Sequence, residues 1–387
     1  MIALAFLIIA IIAPIVLVTA FFALEVFAGL RPLRPADLGD VRARTMIIIP
    51  AHDEQAVIGQ TIERLSSAGR EVLVIADNCG DETADVAKRA GAEVIVRNDP
   101  DRRGKGFALA AARDFLRSNP PEVVVIVDAD CQLDAASQRA LSSVAIGFRR
   151  ACQATNLLSP DLHAPPMVQI SNLAFMIKNL VRQRGLQRLA DRAHLTGTGM
   201  ALPWAIFESA DLGAANIVED LALGLDLANR ARPPLFVEQA TVWSPPASQS
   251  GTLVQRRRWE GGYLATSLKR APAALLRSAA RMDLRGIAAA LDLSVPPLAL
   301  LLMLNAVAFA LGAILAMADG MLWPLIVQVV VLVLTVAALA SAWFLEGRRF
   351  ASGVILLRLP LYVLWKLPIY LWLARRGAPK EWLRSGR

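Results

Sequence analysis

The chain opens on 24 residues without a side-chain charge, and two more uncharged runs, Leu293–Ala318 and Gly320–Leu345, come late in it. Each is long enough for a helix across a hydrocarbon core, which takes roughly 20 apolar residues. The first run lacks a basic leading segment and a clear small-residue cleavage site, so it reads as a retained anchor and not as a signal peptide. The two late runs meet at Asp319 and Gly320 and predict a tight helical hairpin. A fourth apolar stretch, Ala351–Ala374, contains Arg358, Lys366, Pro360 and Pro368. Charge at mid-membrane is costly, so this stretch is expected to lie in the interface without crossing.

Between the anchors the pattern changes to short apolar runs alternating with helical spacing. Met46–Ile49, Glu71–Ala76, Ala92–Arg97 and Val123–Val127 predict strands. Gln55–Ser67, Asp81–Arg89 and Gly106–Ser118 predict helices, with Asp81 as an N-cap. This rhythm implies an α/β domain with a mostly parallel, doubly wound sheet. Ligands of such sheets bind beyond the carboxyl ends of the strands. Asp53 and Glu54, Asp77, and Asp128 with Asp130 all follow strands there. Further on, Leu221–Arg230 predicts a helix, and Ile170–Ala193 reads equally as an interface helix or as ordinary packing.

Composition agrees with membrane residence: 55% of the 387 residues are hydrophobic, and the mean hydropathy is +0.46. The net charge of +8 comes from cations beside the apolar runs, which argues against nucleic-acid binding. Arg31, Arg34, Arg42 and Arg44 follow the first run, Lys269 to Arg285 precede the second, and Arg348 and Arg349 follow the third. By the positive-inside rule all three segments face the cytoplasm. The three cysteines, Cys79, Cys131 and Cys152, show no metal-type spacing and are expected to be reduced thiols.

Six constellations carry chemistry. Asp128-Ala129-Asp130, at a strand end, offers hard oxygen ligands for Mg²⁺ or Mn²⁺. Asp77 adjoins the second strand and reads as a ligand contact. Lys105 stands between glycines in Arg102-Arg103-Gly104-Lys105-Gly106, where a point charge can approach a phosphate or a base. Glu219-Asp220 opens a helix, and mutual repulsion with burial would raise one pKa and suit a general base. Gln255-Arg256-Arg257-Arg258-Trp259 gathers Gln255, Arg258 and Trp259 on one side of a helix, leaving Arg256 and Arg257 to the surface or to lipid headgroups. Thr196-Gly197-Thr198-Gly199 is a small, flexible segment that would let a sugar lie close to backbone.

The order Asp77, Asp128-x-Asp130, Glu219-Asp220 and Gln255-x-x-Arg258-Trp259 resembles the D, DxD, ED, QxxRW signature of family 2 inverting glycosyltransferases of GT-A fold. Ile49-Pro50-Ala51-His52-Asp53-Glu54 resembles their first-strand motif, although an aromatic residue and Asn are usual where His52 and Asp53 stand. The resemblance implies a Rossmann-like GT-A nucleotide-sugar-binding domain with transmembrane helices. It divides the chain into an anchor (1–30), a cytoplasmic catalytic domain (31–285), a membrane region (286–374) and a basic tail (375–387).

The resemblance also implies roles. Pro50, Glu54, Asp77, Lys105 and Asp128 would bind the donor, and Asp130 with Asp128 the Mg²⁺ or Mn²⁺. Asp220 would be the base, with Glu219 supporting it. Gly197, Thr198, Gly199, Gln255, Arg258 and Trp259 would bind the acceptor and the diphosphate. One anchor before the domain and a membrane region after it resembles chitin-oligosaccharide, hyaluronan and related polysaccharide synthases. The expected activity is therefore transfer from a nucleoside-diphosphate sugar, UDP-linked, to a growing β-linked polysaccharide at the inner membrane. The alternatives are single transfer to a lipid and a non-enzymatic transporter or sensing component.

Overall fold

The computed structural model describes residues 2–36, 41, 43–66, 70–213, 219–245 and 249–377. Arg42, Ile217, Val218 and the tail cations Lys380, Arg384 and Arg387 lie outside the described residues. In chain order the elements are α1 (Ile2–Gly29), β1 (Thr45–Ala51), α2 (Ile58–Ser66), β2 (Glu71–Asp77), α3 (Thr83–Arg89), β3 (Glu93–Arg97), α4 (Lys105–Leu116) and β4 (Val123–Ile126). Next come β5 (Gln132–Leu133), α5 (Ala135–Phe148), β6 (Cys152–Leu158), α6 (Pro166–Met176), a π-helical turn (Ile177–Arg182), α7 (Gln183–Ala190), β7 (Met200–Pro203) and α8 (Trp204–Glu208). The chain ends with α9 (Glu219–Asn229), β8 (Leu235–Ser244), α10 (Gln249–Ala280), α11 (Leu284–Ser294), α12 (Leu298–Asp319), α13 (Trp323–Leu345), α14 (Gly353–Leu356) and α15 (Leu359–Arg376). Two compact units result: a sheet unit (32–159 and 191–246) and a helical unit (1–31, 160–190 and 247–387).

The sheet unit holds eight strands in the order β3-β2-β1-β4-β7-β6-β8-β5. β1, β2, β3 and β4 run parallel, with Ile48 opposite both Leu73 and Ile126. The continuous apolar run of β1 follows from cover on both faces. Ile47 and Ile49 pack with Ile58 and Ile62 of α2; Ile48 packs with Leu109 and Ala112 of α4. The expected parallel sheet holds for these strands and for β6 beside β8, but β7 joins β4 and β6 antiparallel and β5 joins β8 antiparallel, so the sheet is mixed. α3 starts at Thr83 after a Glu82 N-cap, later than expected. Asp81 sits just outside it and accepts from the Thr83 amide at 2.9 Å.

The helical unit contains three helices long and apolar enough to cross a membrane: Ala3–Gly29, Leu298–Asp319 and Trp323–Leu345. The hairpin begins later than the uncharged run because Pro296 and Pro297 separate α11 from α12, and Gly320 ends α12 in the left-handed region at φ +66°. α1 lies backbone to backbone on the π-turn and α7: a Cβ on Gly29 would stand 1.9 Å from the Val181 carbonyl oxygen, and one on Gly185 2.2 Å from that of Glu25. At this crossing Arg182 donates to Glu25 and to Asp292, each at 2.5 Å, all three side chains being buried. Arg188 donates to the carbonyls of Ala28 and Arg31 at 2.7 Å, satisfying the carboxyl end of α1.

One expectation changes here, and two open points are filled in. Residues 170–190 form internal packing and not an interface helix, since Ile170, Leu173, Ile177, Leu180, Val181, Arg182 and Arg184 are all buried. Lys366, expected with its stretch in the interface, has a partner inside the protein. It is fully buried on α15 and donates to Glu260 of α10 at 2.6 Å, while Tyr370 donates to the other oxygen at 2.8 Å. Arg256 is not a surface cation. It is buried, donates to Ser171 Oγ at 3.0 Å and stacks over Phe175 and Trp259. Arg257 lies over the Trp372 ring at 4.7 Å.

Candidate active site

Parallel pairing of β1, β2 and β4 brings their carboxyl ends to one edge of the sheet unit. At the end of β1, Pro50 lies opposite Ile75. Asp53 has φ +54°, a left-handed turn that Asp tolerates, and its Oδ1 accepts from Gly80 N at 2.7 Å. The Glu54 amide donates to Thr83 Oγ1 at 2.8 Å. At the end of β2, Asp77 is buried and accepts from Arg97 Nη1 at 2.5 Å and from Asn78 Nδ2 at 3.0 Å. Arg97, the last residue of β3, was missed in the sequence because its role depends on strand pairing that places it opposite Asp77.

At the end of β4, Asp128 and Asp130 flank the buried Ala129, which anchors the turn in the core. Lys105, at the start of α4, ion-pairs with Asp128 Oδ1 and donates to the Gly197 carbonyl at 2.6 Å. The Asp128 amide donates to Thr198 Oγ1 at 3.1 Å. Cys131 donates its S–H to Asp130 Oδ1 at 3.3 Å. Asp220 closes the group: a Cβ on Gly197 would stand 3.2 Å from Asp220 Oδ2 and 3.8 Å from Lys105 Nζ. Gly197 and Gly199 take φ of +87° and +65°. A Cβ on Gly199 would meet Val242 Cγ1 at 2.8 Å, so both glycines are required, and the segment is held in place where the sequence suggested flexibility.

The electrostatics are those of a site short of positive charge. Desolvation lowers the Lys105 pKa, but Asp128 and Glu219 outweigh it and the net shift is upward. Desolvation, then the neighbouring Asp220, push the Glu219 carboxyl up to about 7. Asp128, Glu219 and Asp220 thus share one lysine, with Asp130 beside them. Hard oxygens and surplus negative charge at a strand end fit Mg²⁺ or Mn²⁺. A second arrangement, His52, Asp53 and Cys79, places one ligand atom each within 4.8 Å of one another. It fits a cation less well, because burial pushes the Cys79 thiol up and keeps it protonated.

Gln255, Arg258 and Trp259 lie on α10 in the helical unit. Gln255 is buried, and Trp259 stacks on Phe175 at 5.6 Å between ring centroids. The structure brings Lys105, Asp128, Gly197, Thr198, Glu219 and Asp220 together, with Asp130 adjacent. Pro50, Glu54 and Asp77 stand at the neighbouring strand ends.

Residues 43–262, more than half the chain, match the family described as glycosyltransferase like family 2, and the chain belongs to that family. A probable glycosyltransferase of Bacillus subtilis, YdaM, is 25% identical over 243 residues, 58% of this chain and 56% of that protein. An uncharacterized protein of Methanocaldococcus jannaschii is 32% identical over 87 residues, 22% of this chain and 35% of that one. The chain therefore spans between a third and just over half of these relatives' lengths. The mannosyltransferase PcManGT of Pyrobaculum calidifontis, solved with GDP-Man and Mn²⁺, superposes with a TM-score of 0.53 at 18% identity, covering 87% of this chain and 99% of that one. The sheet unit is a GT-A-like nucleotide-sugar-binding fold.

Proposed function

We propose that the chain is a membrane-attached inverting glycosyltransferase that takes its sugar from a nucleoside-diphosphate donor. The observation that carries this reading is the assembly of Asp128, Lys105, Gly197, Glu219 and Asp220 from four separate chain segments at one sheet edge. Asp220 is the general base: its Oδ1 is held by the Leu221 amide at 2.8 Å, and its Oδ2 lies on the side of the glycine segment, where an acceptor hydroxyl would lie. Glu219 shapes the charge around it. Asp130 and Asp128 would hold Mg²⁺ or Mn²⁺, which when bound neutralises charge on the departing diphosphate. Pro50, Glu54, Asp77 and Lys105 flank the donor, and Gln255, Arg258 and Trp259 serve the diphosphate and the acceptor. The basic residues after α1 and α13 favour a cytoplasmic catalytic face at the inner membrane.

Two acceptors fit: a growing polysaccharide, as the synthase-like layout suggests, or a lipid. The packing of the spans favours the lipid. Asn305 donates to Thr19 Oγ1 at 2.9 Å, and Gln328 to Asn305 Oδ1 at 2.7 Å, so buried polar groups of α1, α12 and α13 turn to one another. Among the described residues these polar side chains are engaged with one another across the three helices and not presented to a sugar chain. Purified protein with UDP-glucose, UDP-N-acetylglucosamine or GDP-mannose should give a monoglycosylated lipid by mass analysis; polymer would restore the first acceptor. Asp220→Asn should lower transfer by about 10²- to 10⁴-fold while thermal unfolding is unchanged. Near-normal turnover would remove Asp220 from the base role.

A further inference from the structure

We propose that Gln153, on β6, is a positioning residue for this reaction: it fixes the 196–199 segment, and through it the placement of Lys105, Asp128 and Asp220. The inference rests on the transfer reading above. Gln153 is fully buried. Its Oε1 accepts from the Thr196 amide at 2.9 Å, and its Nε2 donates to the Thr198 carbonyl at 2.9 Å and to its neighbour Ala154 at 2.9 Å. One side chain therefore holds the segment on both sides of Gly197. Asn156, also buried on β6, adds a bond from Nδ2 to Thr196 Oγ1 at 3.1 Å.

Such a holder is needed because glycine permits the left-handed turn at Gly197 without preferring it. Left alone, two glycines in four residues would sample many conformations. What the segment offers the site is specific: the Gly197 carbonyl for Lys105, the Thr198 hydroxyl for the Asp128 amide, and at Gly197 a residue without a side chain to crowd Asp220 Oδ2. The amide accepts from Thr196 and donates to Thr198 at once. A methionine does neither, and a carboxylate has no proton for the Thr198 carbonyl. Buried groups that orient their neighbours in this way set site geometry without touching substrate.

The test compares Gln153→Met and Gln153→Glu with wild type in full-length protein, by hydrogen exchange and by donor turnover with Mn²⁺. Both variants should raise exchange in a peptide covering 195–199 by about tenfold while β1 and β2 stay protected. Turnover should fall by about 100-fold, with the nucleoside-diphosphate Kd, measured without metal, within twofold. Thr196→Val, which removes only the Asn156 bond, should move both readouts the same way by less and serves if the Gln153 variants do not fold. Unchanged exchange at 195–199, exchange spread over the whole sheet, or normal turnover with a loosened segment overturns the inference. A wild type inactive on UDP-glucose, UDP-N-acetylglucosamine and GDP-mannose overturns the transfer reading, while the exchange result still decides what Gln153 holds.

Discussion

In the sheet unit Asp128, Glu219 and Asp220 surround one lysine, whereas in the helical unit Arg182 lies buried between Glu25 and Asp292, and Lys366 beside Glu260 and Tyr370. The residue types are the same, but their environments differ. The Asp128 side chain keeps 42% of its exposure, while Glu25 and Lys366 keep none. Half-exposed carboxylates in excess of cations favour the arrival of another cation. Buried cations enclosed by their acids have no room for a ligand, and they fix how helices cross. Charge alone marks neither function nor structure; solvent access separates the two.

The largest effect that tests this contrast is at Asp130. Asp130→Ala should lower turnover by about 10³-fold and weaken Mn²⁺ binding, while the unfolding midpoint moves by no more than about 2 °C. Metal titration by calorimetry with thermal unfolding in the same detergent checks both. A large loss of stability would show that the carboxylates of the sheet unit hold the fold, like those of the helical unit.

The reverse is expected of Arg182→Met. It leaves Glu25 and Asp292 buried without their cation, which costs about 3–5 kcal/mol. Denaturant unfolding should record that loss, and restoring an apolar cluster with Glu25→Leu and Asp292→Leu in the same chain should recover most of it. A variant of wild-type stability would mean that water reaches the cluster.

How much of this was readable beforehand follows from the range of the contacts. β1, β2 and β4 are runs buried on both faces, so their apolarity is continuous and local. β8 alternates between buried and half-exposed positions toward its end and lacks such a signature. The acidic stations were legible because strand ends place them. Arg97 and Gln153 were not, because each acts on a partner supplied by strand pairing or by a distant segment, as Gln153 does 43 positions away at Thr196. Arg256 was misread for the same reason, since a cation in a basic run looks like a surface contact until its partner at Ser171 is known, and the partner of Lys366, 106 residues away, was equally out of local reach.

The smallest effect concerns Glu219. Its carboxyl is pushed by desolvation, then by Asp220, from an ordinary 4.5 to about 7. Between these values the unfolded chain has released a proton that the folded chain still holds. Rising pH therefore lowers stability across that window, with the full contribution present below about 4.5 and lost once pH passes about 7. Since the group is only partly buried and solvent still reaches it, the effect is discounted to about one to two degrees in Tm. Glu219→Gln should flatten that part of the Tm–pH curve and leave the rest parallel to wild type. Parallel curves throughout would mean that the acidic pair is solvated like any surface carboxylates. The surplus of negative charge that distinguishes the sheet unit would then be confined to Asp128 and Asp130.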